Sequence, residues 1–380
     1  MKIDYDNSGH LKLCLLCEGV SLNKKTRSLV GKKYAENRYP YGRSNKVEDG
    51  LFSLPSEIVL PNDVVVGVHL RDKAPWSIKL GRKEKMELFH RDKKIANVDF
   101  APRPGFFDKE LPDKTLCQKI VVMYGLYSLS FFNRGWCYYF WINKACKFCS
   151  LNPTRDDAGK GNVAIILPDM ARQAARVAFA NEKKIKHIDY SAGAHENNDL
   201  GVKLQLDLVK AVKKESPDKV RHHMLTIPPD SWRLLNELKN AGLDTIAFNI
   251  EVFDRNLFRQ VCPGKQLMYG YEKYFEALKK AKEIFGFKDV YCGFVGGLEP
   301  IESLLKGIIK VSEKGYTPAL NVFHADPESS FSNKAHPKRE YVWRMVKAQT
   351  AMYKKYKFRP IFPGGTRNSL DTEVYRGFFA

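Results

Sequence analysis

The sequence predicts an α/β protein: an open, partial (β/α)6 barrel behind a small, mostly β N-terminal accessory domain. Three observations predict it. From about residue 116, short apolar runs alternate with longer segments of helical periodicity. Six such runs can be counted, too few for a closed eight-fold barrel. The first 115 residues lack this rhythm and hold short β-like runs punctuated by Pro, Gly and Asn. The expected divisions are an accessory domain over 1–115, the barrel core over 116–330 and a C-terminal helical extension over 331–380.

In the accessory domain the β-like runs are 11–16, 57–60, 64–70 and 86–90, and the segment 103–112 reads as a linker. The first barrel strand is expected at 120–124. A helix at 168–181 starts Pro-Asp and is rich in Ala and Arg. A strand at 187–191, a helix at 200–215 and a strand at 222–226 follow. The helix at 231–241 stops at Gly242, before a strand at 245–251. An amphipathic helix at 271–285 stops at Gly286, before a strand at 290–295. The helix at 303–314 stops at Gly315, before a strand at 319–324. A basic helix at 340–356 closes the series. In parallel α/β folds the chemistry gathers beyond the carboxyl ends of the strands.

Apolar residues make up 44% of the chain, enough to bury a substantial core and to argue against disorder. The formal net charge of +20 points to an anionic partner or substrate, and a lysine-rich solvated surface accounts for it equally well. Asp4, Asp6, His10 and Lys12 interrupt the opening residues before an apolar signal segment can form. No apolar run is long enough to span a bilayer. A cytoplasmic protein without a membrane partner is expected.

Eight cysteines lie at 14, 17, 117, 137, 146, 149, 262 and 292. In a reducing compartment clustered cysteines read as metal ligands before they read as disulfides. Cys146 and Cys149 are close enough for one tight turn to present both sulfurs, and Cys137 can fold back to the same centre. Three thiolates on a [4Fe–4S] cube leave one iron open to a small chelating molecule. Cys14 and Cys17 sit in the apolar run 11–16 and its margin, and read as core.

At Cys137, Cys146 and Cys149, spaced eight then two, the chain resembles the radical S-adenosylmethionine (SAM) superfamily, whose usual spacing is three then two. The resemblance covers roughly residues 117–325 and is clearest against the biotin-synthase-like branch. It implies a TIM-type partial barrel, a [4Fe–4S] cluster and SAM. It also implies reductive cleavage of SAM to a 5′-deoxyadenosyl radical, which abstracts hydrogen from an organic substrate. The electron would come from an external one-electron reductant of flavodoxin or ferredoxin type. Residue by residue, Phe148 matches the aromatic near adenine. Ser191, Ala192 and Gly193 match the small-residue segment that holds the SAM amino group. Asn249 and Glu251 match an Asn-x-Asp that reaches the ribose. Lys265 matches a lysine that neutralises the carboxylate or a substrate anion. Val295, Gly296 and Gly297 match the segment flanking adenine. The catalytic residues proper are not named by these motifs, although His324, Asp326 and Glu328 follow the last strand, where substrate would sit.

Two rivals stay open. Lys24 to Lys46 is basic, with Tyr34, Tyr39 and Tyr41 interleaved, which suits an enzyme that modifies RNA or a nucleotide. Three cysteines and a fourth ligand such as His195 would instead suit a zinc-stabilised nucleic-acid-binding protein.

Overall fold

The computed structural model describes residues 2–29, 33–35, 55–81, 85–153, 163, 165–326, 328–361 and 366–380. Helix α1 (Ser8–Glu18) opens the fold. Asn7 starts it by accepting from the backbone N–H groups of Gly9 and His10, at 2.9 and 3.2 Å. Gly19, at φ +73°, stops it. The run 11–16 is therefore helix, not strand. Its residues are apolar almost all round, so period alone could not separate a buried helix from a buried strand. Leu11 through Cys17 are all buried, Lys12 included. Cys14 and Cys17 are core as expected, but as helix residues three apart they lie on neighbouring faces.

Strand β1 (Ser21–Leu22) and the short helix α2 (Lys24–Arg27) lead to β2 (Glu57–Leu60), β3 (Val64–Gly67), β4 (Trp76–Leu80), β5 (Met86–His90) and β6 (Lys93–Phe100). These strands form one sheet in the order β1-β4-β5-β6-β2-β3. It is antiparallel apart from the β1–β4 pair.

The second sheet begins with β7 (Val122–Tyr124) and β8 (Ser128–Phe132). Helices α3 (Tyr138–Trp141) and α4 (Pro168–Asn181) precede β9 (His187–Ser191). Then come α5 (Asn198–Lys213), β10 (Arg221–Leu225), α6 (Arg233–Asn240) and β11 (Thr245–Ala247). Helices α7 (Arg255–Val261), α8 (Pro263–Met268) and α9 (Tyr271–Phe285) lead to β12 (Val290–Gly296). After α10 (Ile301–Glu313) and β13 (Thr317–Val322), helices α11 (Arg339–Tyr356) and α12 (Asp371–Tyr375) finish the chain. The order across the sheet is β13-β12-β11-β10-β9-β8-β7. Strands β8 to β13 are all parallel, giving the six-stranded partial barrel. The first of them is 128–132 rather than 120–124. Residues 122–124 instead form β7, which turns at Gly125 and runs antiparallel to β8 along the sheet edge. The strand expected over 245–251 ends at Ala247, because Glu251 takes a left-handed φ of +64° that no regular strand accommodates.

The two faces of this sheet differ. Ile188, Tyr190, Met224, Ile246, Val290 and Phe294 belong to the large core that includes the apolar faces of the surrounding helices. Each such burial stabilises the fold by about 1.5–3 kcal/mol. The inner face presents Ser130, Asp189, Ser191, His223 and Thr245, with Ala247, Tyr291 and Ala319 packed together nearer the carboxyl ends of the strands. Barrel interiors are usually filled by bulky branched side chains. This one carries hydroxyl, carboxyl and imidazole groups instead.

The flank of the open barrel is occupied by the chain's own tail. Residues 366–369 lie between β13 and β3: Val322 N–H donates to Asn368 O at 2.8 Å, and Gly67 N–H donates to Arg367 O at 2.9 Å. Asn321 also bridges to Ser369. Arg367 Nε lies 3.2 Å from Glu57 Oε1, and that carboxylate also accepts from Gly125 N–H at 3.4 Å. The guanidinium stands 5.9 Å over the Tyr124 ring. The tail thus links the free edge of β13 to β3 and, through side chains, to the β7 edge.

Candidate active site

The segment after β8 carries the three cysteines to the carboxyl ends of the strands. Arg134 anchors its start. The buried guanidinium donates to Gly193 O at 2.7 Å, to Asn133 Oδ1 at 3.0 Å and to Gly201 O at 3.3 Å. Burial pulls its pKa down to about 10. Cys137 follows, its N–H donating to Asn152 Oδ1 at 2.8 Å, while Tyr138 N–H donates to Ala194 O at 2.9 Å. Gly193 is needed for this approach: a Cβ there would stand 2.0 Å from Trp136 O.

Cys146 and Cys149 sit on the tight turn that their spacing predicts, with Cys149 N–H donating to Cys146 O at 3.0 Å. Two contacts fasten that turn to the junction of α7 and α8. Lys147 N–H donates to Val261 O and Gly264 N–H donates to Lys144 O, both at 2.9 Å. A Cβ on Gly264 would lie 2.5 Å from the Tyr139 ring. From the far side, Phe331 N–H donates to Lys147 O at 3.0 Å and Ser150 Oγ donates to Asp326 Oδ2 at 2.9 Å.

The three sulfurs are near enough for their charges to bear on one another. Burial pushes the Cys137 thiol up to about 11 and also raises Cys149. Cys146 is lowered, first by a hydrogen bond from Cys262, against burial, and then by the nearby Lys265. Cys262 is the residue that the sequence reading missed as a neighbour of the site. Its position before Pro263-Gly264-Lys265 gave no ligand-like spacing to Cys146. Among the described residues, no group of three or more His, Cys, Asp or Glu side chains is already arranged around a metal position. Three soft thiols within mutual range nonetheless match the donor chemistry of an iron–sulfur cluster. His195, the suggested fourth zinc ligand, accepts from Asn197 N–H at 3.1 Å and lies beside Trp136.

The remaining sequence-predicted residues surround the same mouth. Phe148 is half-buried between the two cysteines of the turn. Ser191 ends β9 with its hydroxyl donating to Asp189 Oδ2 at 2.6 Å, and Ala192 and Gly193 follow. Asn249 and Glu251 lie beyond β11. Asn249 covers Gly293, where a Cβ would come within 2.2 Å of the amide. Lys265 Nζ donates to Glu251 Oε1 and to Asn249 O, both at 2.7 Å. Burial alone would push this ammonium down, but Glu251 and then Cys146 more than offset it. Val295 and Gly296 end β12, and Gly297 turns at φ +107°. His324 Nε2 stands 3.5 Å from Asp326 Oδ1, and its ring lies 4.7 Å from that of His69 of the N-terminal part, tilted by 49°, while Glu328 lies on the same crossing segment.

Much of the basic stretch falls outside the described residues, including Lys32, Arg38, Tyr39, Tyr41, Arg43 and Lys46. Of its described part, Tyr34 is buried edge-on against Phe100 at 5.4 Å, so its ring is not a free stacking platform. Among the described residues no helix is long and apolar enough to cross a membrane.

Residues 138–306 match the family described as the Radical SAM superfamily. The chain is similar to bacteriochlorophyllide c C-7(1)-hydroxylase of Chlorobaculum limnaeum, at 28% identity over 160 residues. That match covers 40% of this chain and 40% of the hydroxylase, so the alignment spans well under half of either protein. Among solved structures it is similar to methylornithine synthase PylB, at a TM-score of 0.47 and 15% identity over 64% of this chain and 65% of that one. It is also similar to HydG, a maturase of the [FeFe]-hydrogenase, at 0.48 and 15% over 62% and 50%.

Proposed function

With a radical SAM domain across residues 138–306 as the premise, we propose that this chain is an enzyme that holds a [4Fe–4S] cluster through Cys137, Cys146 and Cys149. When bound, such a cluster supplies the electron that cleaves SAM to methionine and a 5′-deoxyadenosyl radical, which takes hydrogen from an organic substrate. The observation that carries the reading is the convergence of the three cysteine-bearing positions at the carboxyl ends of the parallel strands. That end of the sheet is where α/β folds place their chemistry.

The chain's own residues have separable tasks. Arg134 and Gly193 seat the backbone of Cys137. Lys265, held by Glu251, places a positive charge beside Cys146. It favours the thiolate forms required for iron ligation and offers a partner to a carboxylate. Phe148 and Val295 would supply apolar surface for a purine, while Gly296 and Gly297 lie close against Met345 and Pro337. Ser191, Ala192, Gly193 and Asn249 present polar atoms at its rim. An external one-electron reductant of flavodoxin or ferredoxin type would supply the electron. All eight cysteines are free, which suits a reducing cytoplasm. Hydroxylation, the reaction in the name of the bacteriochlorophyllide relative, is one outcome that hydrogen abstraction from carbon permits.

The test is direct. Anaerobically reconstituted protein should be brown, contain iron and sulfide, and release 5′-deoxyadenosine from SAM with a strong reductant. Replacing Cys137, Cys146 or Cys149 by Ala should abolish that release. Undiminished release in any one of the three variants would remove that residue from the ligand set. Zinc without iron or sulfide would remove the reading altogether.

A further inference from the structure

The inner face of the barrel carries a carboxylate that the proposed cofactors leave unused. Asp189, on β9, is 6% exposed. Its Oδ2 accepts from Ser191 Oγ at 2.6 Å and from Ser130 Oγ at 3.2 Å. Its Oδ1 accepts no hydrogen bond among the described residues. His223 stands opposite Asp189 in register on β10, its Nδ1 2.8 Å from Thr245 Oγ1. That oxygen is not among the fully buried atoms left without a partner, so it remains accessible to a donor.

Described residues wall this inner face on the side of the tail. Residues 366–369 fill the flank between β13 and β3. Arg367 and Glu57 continue the barrier to the β7 edge, where the Tyr124 hydroxyl lies near enough to Arg367, Glu57 and Asp189 to feel the charge of each. Over the mouth, the segment after β13 crosses to the cysteine turn through Ser150–Asp326 and Lys147–Phe331. A polymer entering through this flank would have to displace residues 366–369 and the Glu57–Arg367 ion pair.

We propose that the substrate is a small polar molecule enclosed within the barrel, which presents a hydroxyl or amino donor to Asp189 Oδ1, and that it is not a nucleic acid. This rests on the radical SAM reading above and narrows it to a substrate class. Ser130 and Ser191 are positioning residues that fix the carboxylate so that its second oxygen faces the substrate.

The test uses the full chain, loaded anaerobically with iron and sulfide and supplied with SAM and dithionite. Two probes are added separately: the dialysable metabolites of a cell extract, and the total RNA of the same cells. The dialysable pool is divided on a cation-exchange resin, so that amines and uncharged polyols form separate arms. The expected result is that one small-molecule arm stimulates 5′-deoxyadenosine release and RNA does not. Asp189→Asn should raise the amount of that arm needed for half-maximal stimulation by about tenfold or more, at unchanged iron content. Ser130→Ala serves if Asp189→Asn does not fold, with a shift in the same direction. Stimulation by RNA, no stimulation by either dialysable arm, or a wild-type response of the variant overturns the inference. Protein that binds no iron and never cleaves SAM overturns the radical SAM reading itself, and the inference with it.

Discussion

On the proposed ligand set, Cys262 is the thiol that would close the vacant corner if it bound iron. It lies against Cys146, yet three protein thiolates, not four, leave an iron open for SAM. Cys262→Ser should therefore retain the full complement of iron and sulfide, measured after anaerobic reconstitution, whereas Cys146→Ala should lose it. Loss of iron from the Cys262 variant would make that residue a ligand. Gly193 answers to steric limits alone. A methyl group there would meet Trp136 O at 2.0 Å. Gly193→Ala should cost about 1–3 kcal/mol by overpacking and displace Cys137. Unfolding midpoints and iron content together report both effects. A third residue sets a pH dependence. Burial pushes Asp371 from 3.8 to about 7. Between those values the folded chain holds a proton that the unfolded chain has lost, so stability falls as pH rises through the window. Asp371 Oδ1 accepts from both Gln349 and Leu320, and an asparagine oxygen can do the same. Asp371→Asn should raise the melting temperature most at about pH 8, less at about pH 5 and hardly at all at about pH 3.

At the scale of elements, helix α1 meets α12 through a fully buried ion pair. Lys12 Nζ donates to Glu373 Oε2 at 2.9 Å and to Thr366 O at 2.6 Å. Removing one partner of such a pair leaves an uncompensated charge, at a cost of about 3–5 kcal/mol. Lys12→Met should lose that much in denaturant unfolding. Lys12→Met/Glu373→Leu should recover most of it, and an equal loss in the double variant would show that the pair is not coupled. This element was misread from the sequence. In 11–16 the lysine sits between two leucines of an otherwise apolar run, and nothing local reveals that residue 373 will neutralise it. The barrel was far more legible. Gly242, Gly286 and Gly315 follow helix ends and separate the repeating units, and all three take positive φ. The edge hairpin was hidden because 122–124 looks like any apolar strand until β8 pairs with it. At the site, the spacing of Cys146 and Cys149 gave the turn. Cys262 reaches it only through tertiary folding, so no local signal could point to it, whereas Asp326 was placed near the site by its position after the last strand.

At the scale of the whole molecule, the N-terminal sheet, the barrel and the tail are joined around one interior. The polar inner face and the closed flank were beyond the sequence, because each depends on residues far apart in the chain, such as Glu57 with Arg367. Arg367→Ala should loosen this barrier while leaving the cysteine turn in place. Faster hydrogen exchange at Gly67 and Val322 amides, with unchanged iron content, is the expected signature. The tail has one more consequence, for folding. Until residues 366–369 dock, β3 and β13 each present an unpaired row of amide and carbonyl groups, the template on which strands of separate molecules join. A chain cut short before Thr366 should therefore accumulate as intermolecular aggregates rather than as a slightly weakened monomer.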